Sequence, residues 1–181
     1  DEHDITAVEI DPDIANIYQE RFPQDTVIVE DALEYIVEHF NEYDFIWASP
    51  PCQSHIMFRM IYGKNIPDMT SLYGLITFLQ YNQGFQWIVE NVRPWYSVLL
   101  QPNVKLGRHY YWSNFHIPNK TFNQFRNKTI NYTSNTELRE FHQISIKIKK
   151  NEQLLLRNCV DFRIGKYILD CVIKPKQKTL W

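Results

Sequence analysis

Tyr43-Asp44-Phe45-Ile46-Trp47-Ala48-Ser49-Pro50-Pro51-Cys52-Gln53-Ser54 joins an apolar run to a Pro-Pro-Cys turn. The aromatic and β-branched side chains between Tyr43 and Ala48 favour a buried strand. Two successive prolines then remove two ladder donors and stop it. Cys52 therefore falls just beyond the C-terminal end of a strand, the edge at which open α/β sheets gather ligands and chemistry. A lone Cys is ordinarily a small buried hydrophobe. A Pro-Pro loop followed by Gln53 and Ser54 is a poor place to bury one, so Cys52 reads as a working thiol.

Upstream, Ile5–Ile10 is β-rich and reads as a strand. Asp11-Pro12-Asp13 then opens a helix, with Asp11 as N-cap and Pro12 at the first helical position. Ile14, Ala15, Ile17, Tyr18 and Phe22 supply its apolar face, and Pro23 stops it. Thr26–Val29 is a second strand, and Asp31 caps a helix with Leu33, Ile36, Val37 and Phe40 on one face. Strand, helix, strand, helix, strand with short connections predicts an α/β fold with a doubly wound, mostly parallel sheet. Glu9 and Asp31 fall at consecutive strand ends, where carboxylates can accept from a ribose hydroxyl and an adenine amine. Asp31 as a plain helix cap is an equally good reading of that residue.

Downstream, residues 53–68 form a polar, irregular stretch of a length that is often functional. His55 within it reads as a solvated loop histidine, since no partner stands at a metal-ligand spacing. Asp68-Met69-Thr70 opens a helix through Leu72, Leu75, Ile76 and Leu79, which Gly84 ends. Phe85–Val89 is the fourth strand, with Glu90 at its end. Val104–Phe115 reads as a hairpin. From Pro118 to about Asn151 the chain turns basic and polar, with Phe122, Phe125 and Tyr132 interleaved, a mixture that suits nucleic acid. Ser145–Lys149 alternates as a strand, and Phe162–Ile173 is a helix on which Cys171 packs.

A hydrophobic fraction of 44% and an aromatic fraction of 15% in 181 residues exclude a disordered chain. No apolar run reaches the length of a membrane span, and the acidic opening is the wrong charge for a signal peptide. Cys52, Cys159 and Cys171 are too widely spaced for a metal pattern or a disulfide framework. They suit a reducing compartment: the cytoplasm, or the nucleus in a eukaryote. The net charge of −2 conceals a polarity: residues 1–48 carry fourteen carboxylates against Arg21 alone, whereas residues 119–150 carry seven basic side chains against two Glu. An anionic partner on the rear half is the expectation.

Three of these features, in order, resemble the cytosine-C5 DNA methyltransferases: Val8-Glu9-Ile10-Asp11, Ser49-Pro50-Pro51-Cys52-Gln53 and Trp87-Ile88-Val89-Glu90-Asn91-Val92. The resemblance implies a Rossmann-like methyltransferase fold: a catalytic core at 1–117, a short basic target-recognition insertion at 118–151, and a strand and helix at 152–181 returning to the core. It implies S-adenosylmethionine as cofactor, held by Glu9, Ile10, Asp31, Ala32, Pro50 and Asn158. It implies double-stranded DNA as partner, a restriction enzyme being a further possible one, with Pro51, Gln53, Ser54, Asn91 and Val92 at the base. Gly107–Phe115 resembles the family's Arg-x-Arg aromatic segment. Aligned on Trp112 and Asn114, the family's arginines fall on Gly107 and His109, and Arg108 is the cation left to serve the site. Arg157-Asn158-Cys159-Val160 resembles the last motif, with Arg and Cys where Gly and Ser are usual. The family's glycine-rich first turn has no counterpart, since no Gly precedes Gly63. The chain is therefore expected to be part of a longer protein and, alone, to bind the methyl donor poorly.

The chemistry implied needs these residue types. Cytosine C5 becomes nucleophilic only after a thiolate adds at C6, the part of Cys52. An acid at N3, the part of Glu90, stabilises the adduct. The base must leave its stack to be attacked. Two other functions fit the same residues: an RNA cytosine-C5 methyltransferase of the transfer-RNA type, and a non-catalytic nucleic-acid-binding remnant.

Overall fold

A computed structural model describes residues 3–56, 66–122, 134–145 and 152–173. The chain divides into two compact units, Asp1–Phe40 with Phe125–Asp161, and Asn41–Gln124 with Phe162–Trp181.

In the first unit, β1 (Thr6–Val8) and β2 (Thr26–Ile28) pair in parallel, Val8 opposite Ile28. Between them runs α1 (Pro12–Arg21), started by the Asp11 carboxylate, which accepts from the Asp13 amide at 2.9 Å. After β2, α2 (Ala32–His39) begins where Asp31 Oδ1 accepts from the Leu33 and Glu34 amides. Both caps stand where the sequence puts them, because each is a contact between residues two or three apart. The apolar stripe of α2 is only half-buried: Leu33, Ile36 and Phe40 are partly covered, whereas Val37 is exposed, as are Ile5, Ile10 and Val29. Further along, α4 (Asn135–His142) opens with a capping box, Ser134 and Glu137 exchanging bonds, and closes at Gln143 in the left-handed region. The helix α5 (Glu152–Asn158) follows. Leu138 and Leu156 bury against each other, with Ile17 of α1 beside them. The strand expected at Ser145–Lys149 lies, after its first residue, outside the described residues, as do Lys147, Lys149, Lys150, Arg126 and Lys128.

The second unit holds a four-stranded sheet in the order β3-β4-β6-β5: β3 (Phe45–Ala48), β4 (Gln86–Val92), β5 (Val104–Leu106) and β6 (His109–Ser113). β3 and β4 are parallel, but β4–β6 and β5–β6 are antiparallel. The expected mostly parallel, doubly wound sheet is thus corrected to a mixed one within an α/β fold. The cause is local. Gly107 and Arg108 form a two-residue turn, with φ of 59° at Gly107, and a two-residue turn can only return the chain antiparallel. A Cβ at Gly107 would also press within 3.3 Å of Ile164.

Each face of this sheet is covered. Ile88, Val104, Leu106 and Tyr111 bury against Ile164 and Ile168 of α6 (Phe162–Ile173), with Cys171 packed on the cluster as expected. On the other face lies the segment from Thr70 to Tyr81, whose Tyr73 ring meets Trp112 edge-on. It starts as a π-helical turn at Thr70–Gly74 and continues as α3 (Leu75–Tyr81). Asp68 begins it by accepting from the Thr70 and Ser71 amides. Leu72, Ile76, Leu79, Ile88, Leu106 and Ile168 are almost fully buried, each contributing about 1.5–3 kcal/mol of transfer free energy. Gly84, with φ of 105°, turns the chain into β4 rather than ending α3, which stops at Tyr81.

Candidate active site

β4 runs three residues further than its apolar pattern predicts, because β6 pairs with it as far as Val92, opposite His109. Glu90 is therefore inside the strand, not at its end, and is only 6% exposed. Alternation puts Ile88, Glu90 and Val92 on one face, in register with Ser113, Tyr111 and His109. Glu90 Oε1 lies 3.3 Å from His109 Nε2, and both side chains are nearly inaccessible. The Ser49 hydroxyl at the end of β3 also donates to the Glu90 carboxylate, and Trp47 Nε1 is 3.2 Å from the same hydroxyl.

Burial sets the charge states. Loss of water raises the Glu90 carboxyl to about 6, against the Ser49 bond and the Arg108 charge, which lower it. The His109 imidazole falls to about 4, mainly through burial and further through Arg108. At neutral pH His109 is thus uncharged, beside a carboxyl that titrates close by. Cys52 is half-buried, and desolvation raises its thiol; the Glu90 charge raises it further, while a backbone bond and Arg108 lower it. Cys52 thus feels Glu90 and Arg108, and Arg108 acts in turn on Glu90 and on His109.

The Pro-Pro-Cys turn is fastened to the chain that follows β4. Asn91 Nδ2 donates to the Pro50 carbonyl at 2.9 Å. The Trp95 amide donates to the His55 carbonyl at 3.2 Å, and Trp95 Nε1 to that of Ser54 at 3.4 Å. The His55 amide closes the turn on the Cys52 carbonyl at 3.0 Å. His55 is not the solvated loop histidine that its polar surroundings suggest. It is completely buried, with Nδ1 2.6 Å from the Tyr96 hydroxyl. Its pKa is pulled down by burial, which the Asp68 charge partly offsets. Aromatic residues forty positions later make that pocket, so nothing adjacent in sequence could reveal it.

The remaining expected residues are spread out. Pro51 and Gln53 are exposed in the turn, and Ser54 Oγ accepts from the Asp68 amide at 3.0 Å. Asn91 is buried with its amide committed to Pro50, and Val92 is half-buried. In the first unit, Glu9 and Asp31 stand at adjacent ends of β1 and β2. Glu9 Oε1 accepts from the Asp11 amide, and Asp31 Oδ1 takes both cap bonds; among the described residues the second oxygen of each carboxylate is left for a ligand. Ile10 is 64% exposed beside them and Ala32 is exposed. Two such oxygens flanking an exposed apolar side chain fit the adenosine half of a nucleoside-based cofactor. Asn158 is exposed in the last turn of α5, where a turn was expected; Arg157 precedes it in the same helix. A cavity of about 780 Å³ opens at the opposite end of β4, lined by Gln86, Trp87, Asn103 and Asn114, and holds none of the expected site residues.

The Cys52 turn is thus laced to the strand that carries a buried, titrating carboxyl, and comparison with known families identifies the class of protein as a methyltransferase. The family model of the C-5 cytosine-specific DNA methylases matches residues 3–97, just over half of the chain, and the chain belongs to that family. The match takes in Glu9, Asp31, Cys52 and Glu90 and stops short of Arg108 and His109. No curated protein matches the chain. Sequence reasoning missed Ser49 and His109 as neighbours of Glu90. The strand pattern of residues 109–113 was the available signal, since it fixes which residue of β6 comes opposite β4.

Proposed function

We propose that the protein methylates C5 of cytosine in DNA through a covalent adduct with Cys52. The observation that carries this reading is the mutual electrostatic influence of Cys52, Glu90 and Arg108 at one edge of the mixed sheet. A flipped cytosine seated there meets the thiolate at C6 and the carboxyl at N3. As the Sγ–C6 bond forms, electron density moves onto the ring, and the Glu90 proton passes to N3. Glu90 charge holds the thiol protonated, so a neutral Glu90 and a nearby Arg108 cation are the combination that favours thiolate attack. Exposed Arg108 approaches the base or its phosphate, and the Asn91–Pro50 bond fixes the turn from which Cys52 attacks. Pro51, Gln53, Ser54 and Val92 border the base.

S-adenosylmethionine, when bound, supplies an electrophilic methyl group. Glu9 and Asp31 would hold its ribose and adenine through their second carboxylate oxygens, with Ile10 and Ala32 against the ring. Pro50 and Asn158 complete the proposed contacts. The basic segment 119–150 would grip the DNA phosphates, with affinity falling as salt rises.

The test is a duplex carrying 5-fluorocytosine, which cannot lose the C5 substituent after methyl transfer. With methyl donor present, the full-length protein should form a complex that survives denaturing electrophoresis, and Cys52→Ser should not. A trapped complex formed equally by the variant would assign the nucleophile elsewhere.

A further inference from the structure

We propose that His109 is the positioning residue of the acid: its uncharged imidazole orients Glu90 by a hydrogen bond from Nε2 to Oε1 and does so without the permanent charge that would hold that carboxyl ionised. The inference deepens the cytosine reading and rests on it. The strand register brings the two together, since His109 faces Val92 across the β4–β6 ladder and Glu90 is the next residue of β4 on that face. Nε2 lies 3.3 Å from Oε1 with both side chains less than one-tenth exposed, so water is a poor substitute for the bond.

The donor's charge decides what the bond does. A permanently charged guanidinium at position 109 would hold Glu90 ionised, because a cation in contact favours the carboxylate by about one to three pH units. A buried imidazole donates the same bond without the charge. The other groups acting on Glu90 or His109 among the described residues are the Ser49 hydroxyl and Arg108, with Cys52 beyond them, as Glu90 acts on its thiol. Arg108 is exposed, so its charge reaches Glu90 partly screened. In the reaction, the Glu90 O–H bond breaks as N3–H forms, and the carboxylate left behind receives Nε2–H of His109. After methyl transfer the C5 proton passes to solvent, its electron pair forms the C5–C6 double bond as Sγ leaves C6, the N3 proton returns to Glu90, and the imidazole stays neutral throughout.

Three variants of the full chain separate this from a packing role: His109→Phe removes the donor, His109→Gln keeps an uncharged donor, and His109→Arg adds the charge. The Glu90 carboxyl carbon is followed by NMR titration, with Glu90→Gln assigning the signal. The carboxyl should titrate higher in the Phe variant by about half a pH unit or more, lower in the Arg variant by about one unit, and near the wild-type position in the Gln variant. The alkaline limb of single-turnover methyl transfer by the full-length protein should move the same way. Identical Glu90 titration in wild type, Phe and Gln variants would overturn the proposal, and that pair suffices if the Arg variant does not fold. The fluorocytosine trap on the wild type keeps the two readings apart: no adduct there removes the cytosine chemistry, whereas the titration alone decides whether His109 governs Glu90.

Discussion

Glu9 and Asp31 in the first unit, and Glu90 in the second, are acidic residues assigned to one reaction, yet they are held in different ways. The first two bond to amides two or three residues away, at the ends of short strands in a unit that leaves Ile5, Ile10, Val29 and Val37 exposed. Glu90 sits within a sheet covered on both faces, and the residue after it ties down a loop 41 positions earlier. A carboxylate held locally in water keeps its ordinary function as an acceptor. A carboxyl buried by tertiary packing acquires a new proton affinity, and with it the capacity to act as an acid.

If that contrast is right, the largest effect comes from the thiol beside the buried carboxyl. Cys52→Ser should abolish methyl transfer while the circular dichroism spectrum and DNA affinity hold; normal turnover in the variant would break the assignment. Next, Glu90→Gln should slow single-turnover transfer about a hundred- to ten-thousand-fold, because the amide donates a hydrogen bond but cannot release a proton. An unchanged rate would make Glu90 no more than a strand residue.

The pH dependence of stability sharpens the same contrast. His109 has a lowered folded pKa of about 4 against an ordinary 6.5, so its contribution is full above 6.5 and is lost as pH falls toward 4, up to about 3 kcal/mol. Glu90, raised from 4.5 to about 6, acts in the other sense: its contribution is full below 4.5 and is lost as pH rises through 6, up to about 2 kcal/mol. His109→Gln removes the first and keeps the second. Urea unfolding should therefore show the variant gaining stability between pH 6.5 and 4.5, where the wild type weakens slightly. Parallel curves would mean the imidazole is not buried neutral.

Asn91→Ala should cost about 1–3 kcal/mol of stability by orphaning the Pro50 carbonyl. It should lower the transfer rate at saturating donor more than it raises the donor KM. The smallest effect belongs to the local site: Asp31→Ala should lose about 1 kcal/mol of helix capping and raise the donor KM with little change in kcat. A large drop in kcat for Asp31→Ala would erase the distinction between the two regions.

What was legible in the sequence follows the same division. The strands at Thr6, Thr26 and Phe45, the caps Asp11 and Asp31, the Pro-Pro-Cys turn and the helix at Phe162–Ile173 rest on propensity and on contacts a few residues long. Side-chain identity and spacing are enough to specify such features. They located Cys52 at the edge of a strand and named Glu90 as its companion. Only tertiary structure decided the partner of β4: the hairpin of β5 and β6 is legible in residues 104–115, but its antiparallel docking along β4 pairs Val92 with His109 and Ile88 with Ser113, contacts distant along the chain. That partner carried β4 past Glu90, brought His109 to its carboxyl and, through Asn91 and Trp95, fastened the cysteine turn while burying His55. The physical reason is that proton affinity depends on solvent exclusion and on neighbours distant along the chain, and both come into being only when the sheet is assembled.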